Sequence, residues 1–473
     1  MTKSSVKKNL TDKKKIRNRD QNMTMLLWGM TAVVTVFCFL TMLYHDSLVN
    51  SNIGYRIIDT LFSGTFLEFF NQAGWSYGLS IYSIYAVWSI PVWVIGKIAG
   101  TAVNMNAIGV LLWYKLLPAL FGLWSVYLIG EIAGLACPWE RKNEVRLQYT
   151  CSVLFLFPVF AIAQCDSMGT CFALLGLYYF IKEDNRKFIL FFAIACTMKY
   201  FALFVFIPLL LLRYKRLDKL ILVMLGGGSL VGISTFIISL SKSGNHYMHD
   251  ADFYVNQHIS GFADVALEVS SKRSIGLLGL LFVIVCIMAY ATDESRCENK
   301  AHYAIWTALS GYACFFLGYV CNFYWYVILV PFFILTAFQK PRYLGLNLLL
   351  ELGFGVSTCL AYIYLQSWVF LGQKTYSYLF LKSYAEGIQQ NALMDLSEQL
   401  FHTDLRPYVP LFHGIAYGCM IGFLVLNHPG ILKSNSTERI DRKDYQMITL
   451  LRILVLFAWI GISFVSFPLI GTY

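Results

Sequence analysis

Three charged residues follow the first long apolar run of the chain, in the stretch YHDSLVNSNIGYRIIDT. They are Asp46, Arg56 and Asp59. A carboxylate beside a membrane boundary can take a proton from a substrate held by a lipid. At that position it also avoids burial in hydrocarbon, which costs an ionised group several kcal/mol. The ordinary alternative is a solvated loop that merely carries charges, and the stretch taken alone favours that alternative.

Two more charged residues interrupt apolar sequence further along, Asp166 in the hinge QCDS and Lys199 in the hinge TMKY. Each hinge joins two short apolar segments, and basic residues lie at the far ends of those segments. We therefore expect Asp166 and Lys199 on the same, outer side of the membrane as Asp46. A salt bridge that only holds short helices together explains the pair equally well.

Membrane-spanning helices are the elements that must position these residues. The chain has 473 residues, of which 58% are hydrophobic and only 14% charged, and its mean hydropathy is +0.59. Apolar runs of about 17 to 25 residues recur along it, each long enough to cross a hydrocarbon core of roughly 30 Å as a helix. The sequence predicts an all-α polytopic membrane protein with about thirteen or fourteen crossings.

We expect the first two spans near 24–44 and 79–95. The outer loop between them, at 45–77, includes the apolar segment TLFSGTFLEFF, which is too short to cross and predicts a helix lying along the interface. Later spans are expected near 219–239, 275–291, 301–318, 324–339, 343–364, 409–427 and 448–468.

The apolar run at 107–136 is harder to interpret, because Lys115 and Pro118 interrupt it. We expect two short crossings there. Two crossings would leave the basic loop that follows in the cytoplasm, on the same face as the later basic loops. The basic residues of that loop are Arg141, Lys142 and Arg146.

The charge distribution predicts a cytoplasmic N-terminus, since the 22 residues before the first span contain eight Lys and Arg but two Asp. We divide the chain into a basic tail at 1–23, a module with the candidate residues at 24–216, and a variable membrane module at 217–473. The last has outer loops at 240–274 and 365–408. The tail is short, lacks aromatic residues and directly precedes a span, so we expect no nucleic-acid partner.

The sequence contains one candidate metal-binding cluster, formed by His246, His249, Asp250 and Asp252. These residue types bind metals, but their spacing within a loop is weak evidence for convergence, and we expect no metal. The twelve cysteines lie mostly inside apolar runs without CxxC spacing, which indicates neither a disulfide framework nor a zinc site.

Three uncharged residues are candidates for lining a substrate groove. Gln164 lies in the same hinge as Asp166, and Tyr324 and Trp325 belong to the aromatic turn GYVCNFYWYVILVPF. The two aromatic residues would either form part of an interfacial belt or line a sugar-binding groove.

In this order the features resemble the GT-C superfamily of integral membrane glycosyltransferases, which includes bacterial mannosyltransferases and the PIG-M and dolichol-dependent glucosyltransferase families. The resemblance covers about residues 24–216. It is carried by Asp46 in the first outer loop, by FPVFAIAQCDSMGTCFALLGLYYFI with its QxDS hinge, and by KYFALFVFIPLLLL headed by Lys199. Many members have two adjacent acids in the first loop, where this chain has His45 and Asp46, so Asp59 is the alternative catalytic acid.

The resemblance implies a glycosyltransferase that moves a hexose from a polyprenyl-phosphate donor to an acceptor hydroxyl, with inversion and without a metal or cofactor. Asp46 or Asp59 would be the base and Asp166 an orienting acid, while Arg56 and Lys199 would stabilise the leaving lipid phosphate. The donor is already activated, so no nucleotide-binding motif is needed, and the sequence has none.

The implied location is a bacterial plasma membrane with the active site outside, and the implied role is the synthesis of a cell-surface glycan. The membrane lipids, the lipid-linked sugar and a glycan or lipid acceptor would be its partners. Two rival interpretations remain. A transporter or flippase for a lipid-linked saccharide predicts inverted repeats and helices broken near the midplane, and a membrane scaffold predicts that Asp46 is dispensable.

Overall fold

The computed structural model describes residues 3–42, 45–75, 77–137, 141–242, 265–270, 273–294, 297, 299–319, 321–365, 406–430 and 442–470. These residues are almost entirely helical. One short hairpin pairs β1 (Ala266–Ser270) with β2 (Arg273–Gly276) in antiparallel orientation. Seven of the described helices are long and apolar enough to cross a membrane, which confirms the prediction of an all-α polytopic membrane protein.

The N-terminal half contains eleven α-helices among the described residues. They are α1 (Lys3–Thr41), α2 (His45–Ser63), α3 (Phe66–Gln72), α4 (Leu79–Ala99), α5 (Ile108–Ala136), α6 (Lys142–Thr150), α7 (Val153–Leu156), α8 (Asp166–Ile181), α9 (Asn185–Met198), α10 (Leu203–Arg213) and α11 (Leu217–Ser239). A π-helical turn (Phe157–Ala161) follows α7, and a 3-10 turn (Tyr200–Ala202) links α9 to α10.

The C-terminal half continues after the hairpin, and a helix covers most of each later span predicted there except 324–339, where a 3-10 segment precedes a helix of eight residues. Its helices are α12 (Leu277–Ala291), α13 (Lys300–Gly318), α14 (Val330–Ala337), α15 (Leu344–Leu365), α16 (Val409–Asn427) and α17 (Arg442–Ile470). Three 3-10 segments accompany them, Phe323–Ile328, Pro341–Tyr343 and Arg406–Tyr408.

The prediction of two short crossings at 107–136 is wrong, because α5 is one continuous helix of 29 residues. Lys115 and Pro118, which interrupt its apolar sequence, are both buried. Lys115 Nζ donates to the carbonyl oxygens of Cys38 (2.8 Å) and Met42 at the end of α1, so the side chain has hydrogen-bond acceptors inside the protein. Pro118 removes one helical hydrogen bond but does not end the helix.

The basic residues after α5 nevertheless share one end of the bundle with the next basic loop. Glu131, near the end of α5, pairs with Lys142 at 2.9 Å and Arg146 at 3.1 Å. Helix α8 runs beside α5 in the same direction, since Ser167 Oγ donates to the Pro118 carbonyl oxygen at 3.0 Å and the ring centres of Phe121 and Phe172 lie 6.1 Å apart. Lys182, which follows α8, therefore lies at the same end. A single α5 is therefore compatible with basic loops on one face, which was the reason for expecting two crossings.

The predicted interfacial segment of the first loop forms two helices instead of one. Gly64, at φ +77°, separates α2 from α3. Glycine adopts this left-handed conformation without the steric cost that a side chain would bring. Both helices expose apolar side chains, including Leu61, Phe62 and Leu67.

Helix α4 is long enough to cross a membrane, as predicted. Apart from its contacts with Asp59 of α2, however, its hydrogen bonds to described neighbours reach one end of the bundle. They join it to the last turns of α9 and α11 and to the first turns of α5. The bonds run from Leu79 N to Ser234 Oγ (3.0 Å), from Thr197 Oγ1 to Ser80 Oγ (2.9 Å), from Tyr114 Oη to Ser89 Oγ (2.8 Å), and in both directions between Trp88 and Trp113 (2.9 and 3.0 Å).

Candidate active site

The hairpin of α8 and α9 brings Asp166 and Lys199 together. Asp166 is the first residue of α8, and Lys199 directly follows α9. The two helices have 16 and 14 residues, so they rise about 24 and 21 Å and the chain returns to its starting level. Asp184 caps the turn by accepting from the Lys187 backbone N–H.

Lys199 Nζ lies 2.9 Å from Asp166 Oδ1, in a pair that is almost removed from solvent. The Asp166 side chain is 0% exposed and that of Lys199 is 11% exposed. Charges at such depth are retained only when each compensates the other. This contact agrees with the expectation that both hinges lie at the same end of the bundle. That this end faces the outside of the membrane stays a prediction.

Three aromatic rings surround the ammonium group of Lys199. Its Nζ lies 5.0 Å from the ring centre of Tyr77, 5.3 Å from that of Phe201 and 4.7 Å from that of Trp325, distances typical of cation–π contacts. The rings come from the α3–α4 link, the turn before α10 and the 3-10 segment before α14. Residues distant in sequence therefore fix the position of this one cation.

The three proposed groove residues differ in how directly they contact this pair. Trp325 contacts Lys199 directly, and its ring centre lies 4.7 Å from that of Phe201. Tyr324 is buried next to Trp325, and its hydroxyl accepts from Asn322 Nδ2 at 2.9 Å. Gln164 is buried two residues before Asp166, and its carbonyl oxygen accepts from Ser167 Oγ at 3.2 Å.

The first turns of α2 reach the same hinge. Asn50 Nδ2 contacts Cys165 Sγ at 3.8 Å, and Leu48 packs with Ala163. Asp46 belongs to α2 one turn before Asn50. Its side chain lies outside the described part of the chain, so the structure gives the position of this candidate base in the helix but not its contacts.

Asp59 and Arg56 are not brought to the pair. Asp59 lies nine residues beyond Asn50, about 13 Å further along α2, where its carboxylate pairs with Lys97 Nζ (3.0 Å) and accepts from Trp93 Nε1 (3.0 Å). The hydrogen bonds from Lys97 and Trp93 hold the pKa of the Asp59 carboxyl below its usual value. Arg56 is exposed, with its guanidinium 4.6 Å from the ring centre of Phe69.

Tyr85 is a site residue that the sequence interpretation missed. It is fully buried in α4 and packs in one cluster with Cys165 and Met198, the residues that directly precede Asp166 and Lys199. Gly54 allows α2 to approach it, since a Cβ at this position would lie 2.6 Å from Tyr85 Cβ. The available signal was the helical spacing of Tyr82, Tyr85 and Ser89, which forms a polar stripe within an apolar segment.

No protein-family model matches the chain, and no curated protein matches it either. Among solved structures it resembles ArnT from Cupriavidus metallidurans, in a crystal structure bound to undecaprenyl phosphate and in one of the apo state. The first comparison gives a TM-score of 0.40 at 12% identity and covers 90% of this chain and 77% of ArnT. The second gives the same score and identity with coverages of 85% and 76%.

The described part of the chain contains no candidate metal site, because no three His, Cys, Asp or Glu residues converge on one point there. The cluster of His246, His249, Asp250 and Asp252 lies outside the described residues. Neither observation tests the expectation that the protein works without a metal.

Proposed function

We propose that this protein is a membrane glycosyltransferase that moves a sugar from a polyprenyl-phosphate donor to an acceptor hydroxyl. The observation that carries the proposal is the buried Asp166–Lys199 pair, met by the start of α2 at one end of a bundle of apolar helices. Buried ionisable groups within membrane proteins are expensive, and a functional role is the first hypothesis for them.

Asp46 is the proposed general base. The acceptor oxygen attacks the anomeric carbon, its proton passes to the carboxylate, and the bond to the phosphate oxygen breaks so that the lipid phosphate leaves with the electron pair. One such displacement inverts the anomeric centre, whereas retention needs a second carboxylate about 5 Å away as nucleophile. Asp59 is less suited, because a carboxyl with a lowered pKa is a weaker base and it is already paired with Lys97.

The negative charge that develops on the leaving phosphate needs fixed cations. Arg56 is exposed on α2 and keeps this role in the proposal. Lys199 is already neutralised by Asp166 and serves, with that carboxylate, to order the site. An outer-face active site, a hexose as the transferred sugar and a cell-surface glycan as the product belong to the same proposal.

The test is sugar transfer by the purified chain in lipid vesicles, with radiolabelled undecaprenyl-phosphate sugars and a mixture of glycan acceptors. Asp46→Asn is expected to lower the rate by about two to four orders of magnitude, since it removes the general base. Asp59→Asn is expected to change it less than threefold. Unchanged transfer in Asp46→Asn would refute the base assignment. Movement of the labelled lipid across the bilayer without any transfer would favour the flippase instead.

A further inference from the structure

The Asp166–Lys199 pair carries no net charge, which bears on what it can bind. The ammonium and carboxylate groups are 2.9 Å apart, so at a nearby ligand the field of one largely cancels that of the other. A phosphate group gains little from such a pair. A neutral group that both donates and accepts hydrogen bonds suits it better.

Two buried donors beside this pair have no hydrogen-bond partner within the described residues. One is the hydroxyl of Tyr85, which packs in one buried cluster with Cys165 and Met198, the residues that directly precede Asp166 and Lys199. The other is the indole N–H of Trp325, whose ring is 4.7 Å from Lys199 Nζ and whose residue is 8% exposed. Leaving a buried donor without an acceptor is unfavourable, and in native proteins such groups call for a functional or solvent explanation.

The surroundings of these donors are aromatic. Tyr77, Phe201 and Trp325 present rings around Lys199. Ligand sites of this kind combine apolar walls with a small number of placed polar groups. A sugar ring has the complementary surface, because its C–H faces pack on aromatic rings while its hydroxyl edge forms hydrogen bonds.

We propose that Tyr85, Trp325 and the Asp166–Lys199 pair form a subsite for an uncharged sugar ring and not for a phosphate. Tyr85 Oη and Trp325 Nε1 donate hydrogen bonds to oxygens of that ring. Tyr77 and Lys199 are partly exposed and mark the side from which it enters. The inference rests on the proposed function, in which this ring is the sugar of the lipid-linked donor.

The experiment measures binding by the purified full-length chain in nanodiscs, in the absence of an acceptor. The probes are undecaprenyl phosphate, undecaprenyl-phosphate glucose and undecaprenyl-phosphate mannose. Tyr85→Phe removes one hydroxyl, and Trp325→Phe removes the indole N–H. The control is Tyr114→Phe, a buried tyrosine whose hydroxyl donates to Ser89 Oγ.

We expect the dissociation constant of at least one sugar-bearing lipid to rise about three- to tenfold in Tyr85→Phe and in Trp325→Phe, the effect of losing one hydrogen bond. Binding of undecaprenyl phosphate is expected to stay unchanged in both, and Tyr114→Phe is expected to affect neither ligand class. Equal weakening of all three lipids would indicate a phosphate site and overturn the proposal. So would the absence of any sugar-selective effect.

Thermal unfolding supplies a second readout that does not depend on the choice of sugar. Tyr85→Phe is expected to leave the melting temperature unchanged, because its hydroxyl has no described partner, whereas Tyr114→Phe lowers it. An equal drop in both variants would show a structural role for the Tyr85 hydroxyl and overturn the subsite. A sugar-selective binding defect without any transfer activity would keep the subsite and refute the transferase function.

Discussion

Asp166 and Lys199 form an ion pair that is costly to bury and costly to break. Each charge is nearly withdrawn from water, and the pair is stable because the two charges lie 2.9 Å apart with aromatic rings around the ammonium. Removing one partner leaves the other buried and uncompensated, whereas removing both leaves no charge to compensate. The difference in stability between the single and the double variants therefore measures the structural role of the pair, while the rate of sugar transfer measures its role in the reaction.

At the residue scale we predict a strongly non-additive cycle between Asp166→Asn and Lys199→Met. Each single change should lower the free energy of unfolding by about 3–5 kcal/mol, and the double variant should recover most of that loss. Sugar transfer should stay low in all three variants. The measurement is denaturant titration of the purified proteins beside the transfer assay. Additive losses would mean that the two side chains do not depend on each other.

The sequence located this pair because polar hinges within apolar runs are conspicuous and because helices of similar length bring both hinges to one end. Tyr85 and the Tyr77 ring were missed, because the polar stripe that includes Tyr85 does not specify which helices pack against it, and Tyr77 lies in the link between α3 and α4. Lys115 was misinterpreted for a related reason. Its acceptors, the carbonyl oxygens of Cys38 and Met42, belong to another helix.

The contact between helices α2 and α4 positions the first loop relative to the candidate site. This contact depends on Gly54. A Cβ at this position would lie 2.6 Å from Tyr85 Cβ and 2.9 Å from the Tyr85 carbonyl oxygen, too close for either helix to stay in place. The same crossing sets the distance between α2 and the hinge at Cys165.

We predict that Gly54→Ala separates α2 from α4. Overpacking of this kind costs about 1–3 kcal/mol of unfolding free energy, and transfer should fall with it because Asp46 lies on α2. Gly109→Ala is the matched control, since no atom lies within 4 Å of its added Cβ. It should be neutral or slightly stabilising in the first turn of α5. Wild-type stability and transfer in Gly54→Ala would contradict the close contact between the two helices.

The position of α4 gives a second prediction at the element scale. Its hydrogen bonds to α5, α9 and α11 reach one end of the bundle, so we expect it to lie across that end and not through the membrane. Thr101→Cys, just after α4, should then react with a membrane-impermeant maleimide from the same side as Ser63→Cys and from the opposite side to Lys187→Cys. Labelling of the native cysteines is measured on the parent protein and subtracted. Labelling of Thr101→Cys from the Lys187→Cys side would show that α4 crosses.

Among the described residues, buried polar contacts join the two halves of the molecule, beside an apolar core that spans both. Arg452 of α17 pairs with Glu351 of α15 and donates to the carbonyl oxygens of Gln148 (3.0 Å) and Leu348 (3.1 Å). Ser152 donates to the other oxygen of Glu351 at 2.7 Å. Since Trp325 also contacts Lys199, the candidate site draws on both halves, and the division at 216 and 217 stays a prediction.

We predict that Arg452→Met destabilises the protein by about 3–5 kcal/mol, because it leaves Glu351 buried without its cation. The exposed pair of Arg216 and Asp218 is the matched control, with side chains 71% and 61% exposed. Arg216→Met should cost no more than about 1 kcal/mol. Denaturant titration of both variants measures their free energies of unfolding. Equally small losses of unfolding free energy would mean that the network does not join the halves.

The most direct measurement for the whole proposal is the initial rate of sugar transfer from undecaprenyl-phosphate donors by the purified wild type, compared with Asp166→Asn and Asp184→Asn. Asp184 forms the other Asp–Lys pair of the α8–α9 hairpin, at its opposite end, where asparagine can still cap α9. We expect transfer in the wild type and in Asp184→Asn, and a loss of at least about a hundredfold in Asp166→Asn. No transfer by the wild type from any donor, or full transfer by Asp166→Asn, would contradict the account.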